Sequence, residues 1–148
     1  MYGFETALAP WKAESSGITL QRTSYLPYRG SWGMVAARSV AARAWSAIRL
    51  NTAGTPLQES AGRAVSAWVR LDGGTPGTWK AGLEIQDASW RWVAGPTAAL
   101  VPGSWTRVTF TVPTSTWSGH KALGIQVGGS RPTSGTVKVR FDEIRQSG

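Results

Sequence analysis

Apolar and polar residues alternate along most of this chain, the period-2 pattern of strands with one face in a core and the other in solvent. Val65, Ala67, Val69 and Leu71 share one phase against Ser66, Trp68 and Arg70. Further on, Val108, Phe110 and Val112 alternate with Arg107, Thr109 and Thr111, then Leu123, Ile125 and Val127 with Gly124, Gln126 and Gly128. Last come Val137, Val139 and Phe141 against Lys138, Arg140 and Asp142. Nearer the N-terminus the signal is weaker. A short strand is expected around Tyr2 to Thr6, a loop from Pro10-Trp11 to Gly17, a strand with Ile18 and Leu20 inward, and another with Trp32, Met34 and Ala36 on one face. The Ala-rich run from Val40 reads as a loop leading into a strand at Trp45 to Leu50. Gly and Pro mark turns at 24–30, 72–77, 95–96 and 102–104. Roughly nine or ten short strands at about 8 to 12 residue spacing predict an all-β fold, two antiparallel sheets packed as a β-sandwich of jelly-roll type.

The stretch Leu83 to Trp92 is the most unusual. Leu83 and Ile85 alternate with Glu84 and Gln86, and a turn-prone Asp87-Ala88-Ser89 leads into Trp90 and Trp92. Two registers compete. If Asp87, Ala88 and Ser89 form the loop, Trp90 lies opposite Gln86 and Trp92 opposite Glu84, and both indoles stand outside. If only Ala88 and Ser89 form it, Trp92 faces Ile85 and turns into the core, because a one-residue slip exchanges the faces. The local pattern leaves both open.

A chain of 148 residues is the size of one domain, 1–148, with enough core to fold without cross-links. It has no cysteine, so disulfides, thiolate nucleophiles and zinc-thiolate sites are excluded. No apolar run approaches the ~18 residues of a membrane span, and no charged segment followed by an apolar stretch marks a signal peptide. The expectation is either a chain that starts inside a longer protein or one not exported by that route. Lys plus Arg number 16 against 8 Asp plus Glu, a formal net charge of +8. The basic residues are scattered singly, which suits a general attraction to acidic surfaces and argues against specific nucleic-acid readout. Nine tryptophans are more than one small core holds, so some are expected outside.

In order along the chain, Phe4-Glu5 followed by Trp11, Gly30-Ser31-Trp32, Ser66-Ala67-Trp68-Val69-Arg70, Pro102-Gly103-Ser104-Trp105-Thr106, Leu123-Gly124-Ile125-Gln126-Val127 and Val139-Arg140-Phe141-Asp142-Glu143-Ile144 resemble the β-jelly-roll carbohydrate-binding modules appended to bacterial mannanases, xylanases and β-glucanases. The resemblance spans nearly the whole chain, and the order of weak motifs carries it. It implies a galactose-binding-like sandwich and a non-catalytic module that binds β-linked polysaccharide in a cleft across a concave sheet, extracellular and tethered to a glycoside hydrolase. Sugar rings present C–H faces that stack on indole and hydroxyls that need donors and acceptors. On that basis Trp90 and Trp92 are expected as stacking platforms with Trp68 as a third, and Gln86, Gln126, Glu84 and Arg70 as hydroxyl partners. Gln126, between two glycines, leaves room for a ligand near the backbone. Two platforms and a few hydrogen bonds predict a dissociation constant on the order of 10 μM to 1 mM. Such modules also hold a structural Ca²⁺ between first and last strands, which implies Glu5 and Asp142 here. Calcium takes about six to eight oxygens, so backbone carbonyls near Gly30 are expected to join them.

Trp32, Trp45 and Trp105 are expected in the core or at sheet edges, and Trp79 and Trp117 in loops that rim a cleft or cap the sandwich. An enzyme is not expected. The single histidine, His120, sits in a Ser-Gly-His-Lys loop without a carboxylate nearby in sequence. Glu84 and Asp87, the pair nearest the hairpin platform, fall on opposite strand phases, unlike glycosidase carboxylates facing one cleft. The Arg, His and Tyr set of jelly-roll lyases is not visible. A second reading is a structural or adhesion module of a phage tail, virion or cell-surface protein, favoured by the Met1 start and the Ser147-Gly148 ending.

Overall fold

The computed structural model describes residues 4–5, 7–8, 10–41, 46–52, 61–73, 77–114, 119–130 and 134–146. Trp45 and Trp117 lie outside them. Ten strands follow in order: β1 (Trp11–Ala13), β2 (Ile18–Thr23), β3 (Gly33–Val40), β4 (Ser46–Thr52), β5 (Ala64–Leu71), β6 (Thr78–Asp87), β7 (Trp92–Leu100), β8 (Trp105–Thr111), β9 (His120–Ser130) and β10 (Gly135–Gln146). They form two five-stranded sheets, β1-β4-β9-β6-β7 and β2-β3-β10-β5-β8, antiparallel at every described pairing. The expected β-sandwich is the observed one.

The alternating apolar sets meet between the sheets. Ile48, Leu50, Leu83, Ile85, Leu123, Ile125 and Val127 of the first sheet pack against Met34, Ala36, Val65, Val69, Val139 and Phe141 of the second. All are under 3% exposed, and each buried aliphatic or aromatic side chain contributes ~1.5–3 kcal/mol. Three expectations are corrected. Phe4 and Glu5 lie in a turn rather than a strand, with Phe4 buried in the core; among the described residues the first strand is the Trp11 segment, read from sequence as loop. Trp79 is not in a loop but in β6, 1% exposed, and a Cβ on Gly129 would sit 2.6 Å from its indole. Gly95-Pro96 does not end a strand either. β7 runs through it as an edge strand with a register shift opposite Gly82 and Glu84, the setting that tolerates a proline without a ladder N–H. There Gly95 lets Phe110 approach, since a Cβ would lie 2.4 Å from its ring.

Candidate functional site

The β6–β7 hairpin closes in a register that neither sequence alternative contains. Asp87 N–H donates to Arg91 O (3.0 Å) and Trp90 N–H to Asp87 O (2.9 Å), so Ala88, Ser89 and Trp90 form the loop. Gln86 then faces Trp92, and Ile85 faces Val93. Trp90 takes the left-handed conformation, φ 66°, which is costly for a bulky residue and which a three-residue hairpin requires at its last loop position. The Asp87 carboxylate holds it there. Oδ1 accepts from the N–H groups of Ser89 (2.9 Å) and Arg91 (3.0 Å), and Oδ2 from Arg91 Nε and Nη2 (3.1 and 2.8 Å). The Arg91 N–H, ahead of an opposing desolvation and the Arg91 guanidinium, holds this carboxyl below its usual range.

Because side chains alternate, Trp92 shares the outer face of the first sheet with Gln86 and Glu84. Cross-strand pairing extends that face: Gln86 lies beside Ala122, Glu84 beside Gly124 and Gly82 beside Gln126, while Gly124 and Gln126 adjoin Asn51 and Arg49 of β4. Gly124 matters here. A Cβ on it would lie 2.7 Å from Glu84 Cγ and 3.0 Å from Trp92 Cζ3, so the space beside Gln126 that sequence assigned to ligand is filled by these two side chains. The indole leans from the edge strand over the sheet. Lys12, Glu14, Asn51, Gln86, Trp90 and Trp92, with Lys121 and Ala122, enclose a recess of about 430 Å³.

A single cation joins two carboxylates beside this recess. Arg49 donates to Glu84 Oε1 through Nε (3.1 Å) and Nη2 (2.7 Å), and its Nε lies 3.3 Å from Glu14 Oε2. The hydrogen bond to Glu84, against some desolvation, holds the guanidinium above its usual pKa. Arg49 Cζ also stands 5.6 Å from the Trp92 ring centroid, within cation–π range. Glu84 is consequently covered, its side chain 4% exposed against 38% for Arg49. The structure therefore places Glu84 as the support of Arg49, and Arg49 as the group facing solvent. Asn51 Oδ1 is buried without a hydrogen-bond partner, an arrangement that costs free energy until a donor arrives. Trp90 is 65% exposed, with Lys121 Nζ 3.1 Å from its ring centroid. Arg49, Asn51 and Lys121 were missed from sequence, although Ile48-Arg49-Leu50-Asn51 shows the alternation that would have placed the first two outside.

Trp68 and Arg70 do not join this face. They lie on β5, in the second sheet, where Trp68 pairs with Asp142 and Arg107 and Arg70 with Arg140 and Trp105. Trp68 stacks on Tyr28, centroids 4.1 Å apart, so two sheets separate it from Trp92. Trp105 is half-buried in the same cluster, edge-on to Tyr28, and Trp32 is half-buried under the Arg22 guanidinium, 4.1 Å from its ring.

Glu5 and Asp142 do converge, across nearly the whole chain. Glu5 Oε1 accepts from the N–H groups of Ser31 (3.0 Å) and Trp32 (3.2 Å), and Asp142 Oδ2 from those of Tyr28 (2.8 Å) and Arg29 (3.0 Å). Gly30 between them, φ 68°, has no room for a side chain: a Cβ would meet Glu5 Oε1 at 2.2 Å. Burial raises the Asp142 pKa, the two N–H donors oppose this, and the nearby Glu5 charge adds to it. Two like-charged carboxylates held together in this way suit a hard divalent cation. Among the described residues no third acidic or histidine side chain joins them, so further oxygens would come from the backbone or water.

Comparison with known proteins agrees with the fold. No curated protein matches the sequence. Solved structures share the fold at low identity. One, from work on the promiscuous specificity of carbohydrate-binding modules of the β-sandwich superfamily, is 16% identical with a TM-score of 0.76; the match covers 99% of this chain, which spans 61% of that one. A module specific for non-crystalline cellulose is 19% identical with a TM-score of 0.72, over 99% of this chain and 92% of its own. The C-terminal family 22 module of Clostridium thermocellum Xyn10B is 17% identical with a TM-score of 0.65, over 98% and 89%. The family model described as a carbohydrate binding domain matches residues 1–135, and the chain belongs to that family of non-catalytic carbohydrate-binding domains.

Proposed function

We propose that the recess on the first sheet binds a β-linked polysaccharide, with Trp90 and Trp92 stacking on sugar rings and Gln86, Gln126, Asn51 and Arg49 bonding to hydroxyls. The observation that carries this is the placing of Trp90 and Trp92 on one recess with Gln86 and Asn51. Indole supplies apolar area for C–H faces, and side-chain amides supply donors and acceptors for hydroxyls. The neighbours described as xylan-binding or cellulose-specific support a β-1,4-linked glucan or xylan within the ligand class, to which the sequence adds mannan. Arg49 faces both the Trp92 ring and the solvent, so it takes the role that sequence gave to Glu84, and Glu84 positions it. A structural Ca²⁺ would be held by Glu5 and Asp142, where it would neutralise the paired carboxylates and pin the 24–32 loop to β10. One structural neighbour is a xylanase module joined to its catalytic domain, which supports an extracellular module tethered to a glycoside hydrolase.

The test is affinity electrophoresis of the wild type and the Trp90→Ala, Trp92→Ala double variant through gels containing mannan, xylan, β-glucan or no polysaccharide. The wild type should be retarded in at least one and the variant in none. Equal retardation of both proteins would remove the assignment.

A further inference from the structure

A second recess, of about 180 Å³, lies on the outer face of the other sheet, lined by Tyr28, Ser66, Trp68, Glu143 and three arginines, Arg29, Arg107 and Arg145. The 24–32 loop lies over β10 and β5 because Asp142 accepts the N–H groups of Tyr28 and Arg29 and Tyr28 stacks on Trp68 at 4.1 Å with an 18° interplanar angle. That anchoring presents Arg29 at the recess. From below, a register shift in β10 between Asp142 and Arg145, with Glu143 at φ 48°, brings in Glu143 and Arg145. Arg107 enters from β8, donating to Ser66 Oγ (3.3 Å).

The charges do not balance. Among the described residues Glu143 is the one carboxylate lining the recess, and it is ion-paired with Arg145. Arg29 and Arg107, both exposed, have no ion-pair partner among the described residues. Two arginines thus line a partly enclosed space without an ion-pair partner among the described residues, and guanidinium groups pair best with a planar anion that accepts two hydrogen bonds. The volume is about that of six waters at ~30 Å³ each, room for one sugar unit.

We infer that this recess is a second binding site, selective for the carboxylate of a uronate unit in an acidic polysaccharide, with Arg29 and Arg107 as its anion ligands. It lies on the opposite face from the Trp92 recess and stands independently of it. A chain bearing both neutral and uronate-rich segments would be held at two faces, and the effective affinity would rise by linkage of the sites.

The experiment is titration calorimetry of the full chain with tetragalacturonate, its methyl ester, inorganic phosphate and a single-stranded oligonucleotide. Tetragalacturonate should bind and its neutral ester should not. Arg29→Gln with Arg107→Gln should weaken binding about tenfold or more. Arg63→Gln with Lys138→Gln, which removes two exposed charges elsewhere, should change it less than about twofold, Trp92→Ala should leave it unchanged, and Arg107→Lys should rescue part of it. Equal losses in both charge pairs would reduce the effect to general attraction by a basic chain, and loss in Trp92→Ala would move the ligand to the first sheet. Phosphate or oligonucleotide binding of equal strength and equal arginine dependence would overturn the uronate assignment.

Discussion

Arg49 is bonded twice to Glu84, at 2.7 and 3.1 Å, and this pair holds the guanidinium beside Trp92 at the edge of the first-sheet recess. Glu84 is buried and cannot itself meet a ligand, yet without it the guanidinium would not be fixed beside Trp92. Breaking a buried pair from one side costs ~3–5 kcal/mol, and the partial exposure of Arg49 reduces this to about 1–2 kcal/mol. Arg49→Ala should therefore lower stability by that amount in urea unfolding and weaken polysaccharide retention. Glu84→Gln should weaken retention with a smaller stability loss.

Gly124 is predicted to be a binding residue without touching ligand. In Gly124→Ala the new Cβ meets Glu84 Cγ and Trp92 Cζ3, and both side chains must shift. Overpacking of this kind costs ~1–3 kcal/mol, and the tilted indole should reduce polysaccharide affinity severalfold. A variant that keeps wild-type affinity would show that the lean of Trp92 over the sheet is not used.

The Trp90 turn depends on Asp87. Its carboxyl titrates below its usual range in the folded state, so its contribution to stability is fully present above the unfolded value of about 3.9 and is lost as pH falls through the folded value. Asp87→Ala should free the Trp90 loop and weaken retention at neutral pH. In acid, below about pH 4, the wild type should lose stability faster than the Asp87→Asn variant when followed by thermal unfolding.

Asp142 behaves oppositely. Its raised pKa means that the folded state holds more protons than the unfolded one between the two values, so in calcium-free protein its contribution falls as pH rises through that window. Calcium should cancel the penalty. At about 100 times its dissociation constant it adds ~2.7 kcal/mol, on the order of 5–10 °C in Tm for a domain of this size. Asp142→Asn should show no gain with calcium, and in chelator it should lose stability, because its amide nitrogen must replace an oxygen that accepts from Glu143 N–H or from Tyr28 and Arg29 N–H. A wild-type Tm unmoved by chelator would remove the metal from the account.

Much of this was legible in the sequence because alternation is a direct record of burial. Val65, Ala67, Val69 and Leu71, like Leu123, Ile125 and Val127, could be assigned to the core from their phase alone, whereas phase left Trp92 open between the outer face and the core. The hairpin register was not legible, because it depends on a tryptophan adopting a positive φ under the hydrogen bonds of one aspartate. Phase also says which face of a strand is polar but not which sheet the strand joins. That is why the sequence groups Trp68 and Arg70 with Trp92 although β5 and β7 lie in different layers. Glu84 was misjudged for a related reason: its partner Arg49 is 35 residues away, and only the pairing of β4 and β6 on either side of β9 brings them together.

The most direct test follows the nine indole N–H resonances by NMR as xylohexaose, cellohexaose and mannohexaose are titrated into the protein. With at least one of the three, the signals of Trp90 and Trp92 should move together and saturate, while those of Trp68, Trp79 and Trp105 stay in place. Saturating shifts at Trp68 and Trp105 with none at Trp90 and Trp92, or no shift with any of the three sugars, would contradict the assignment of the first-sheet recess.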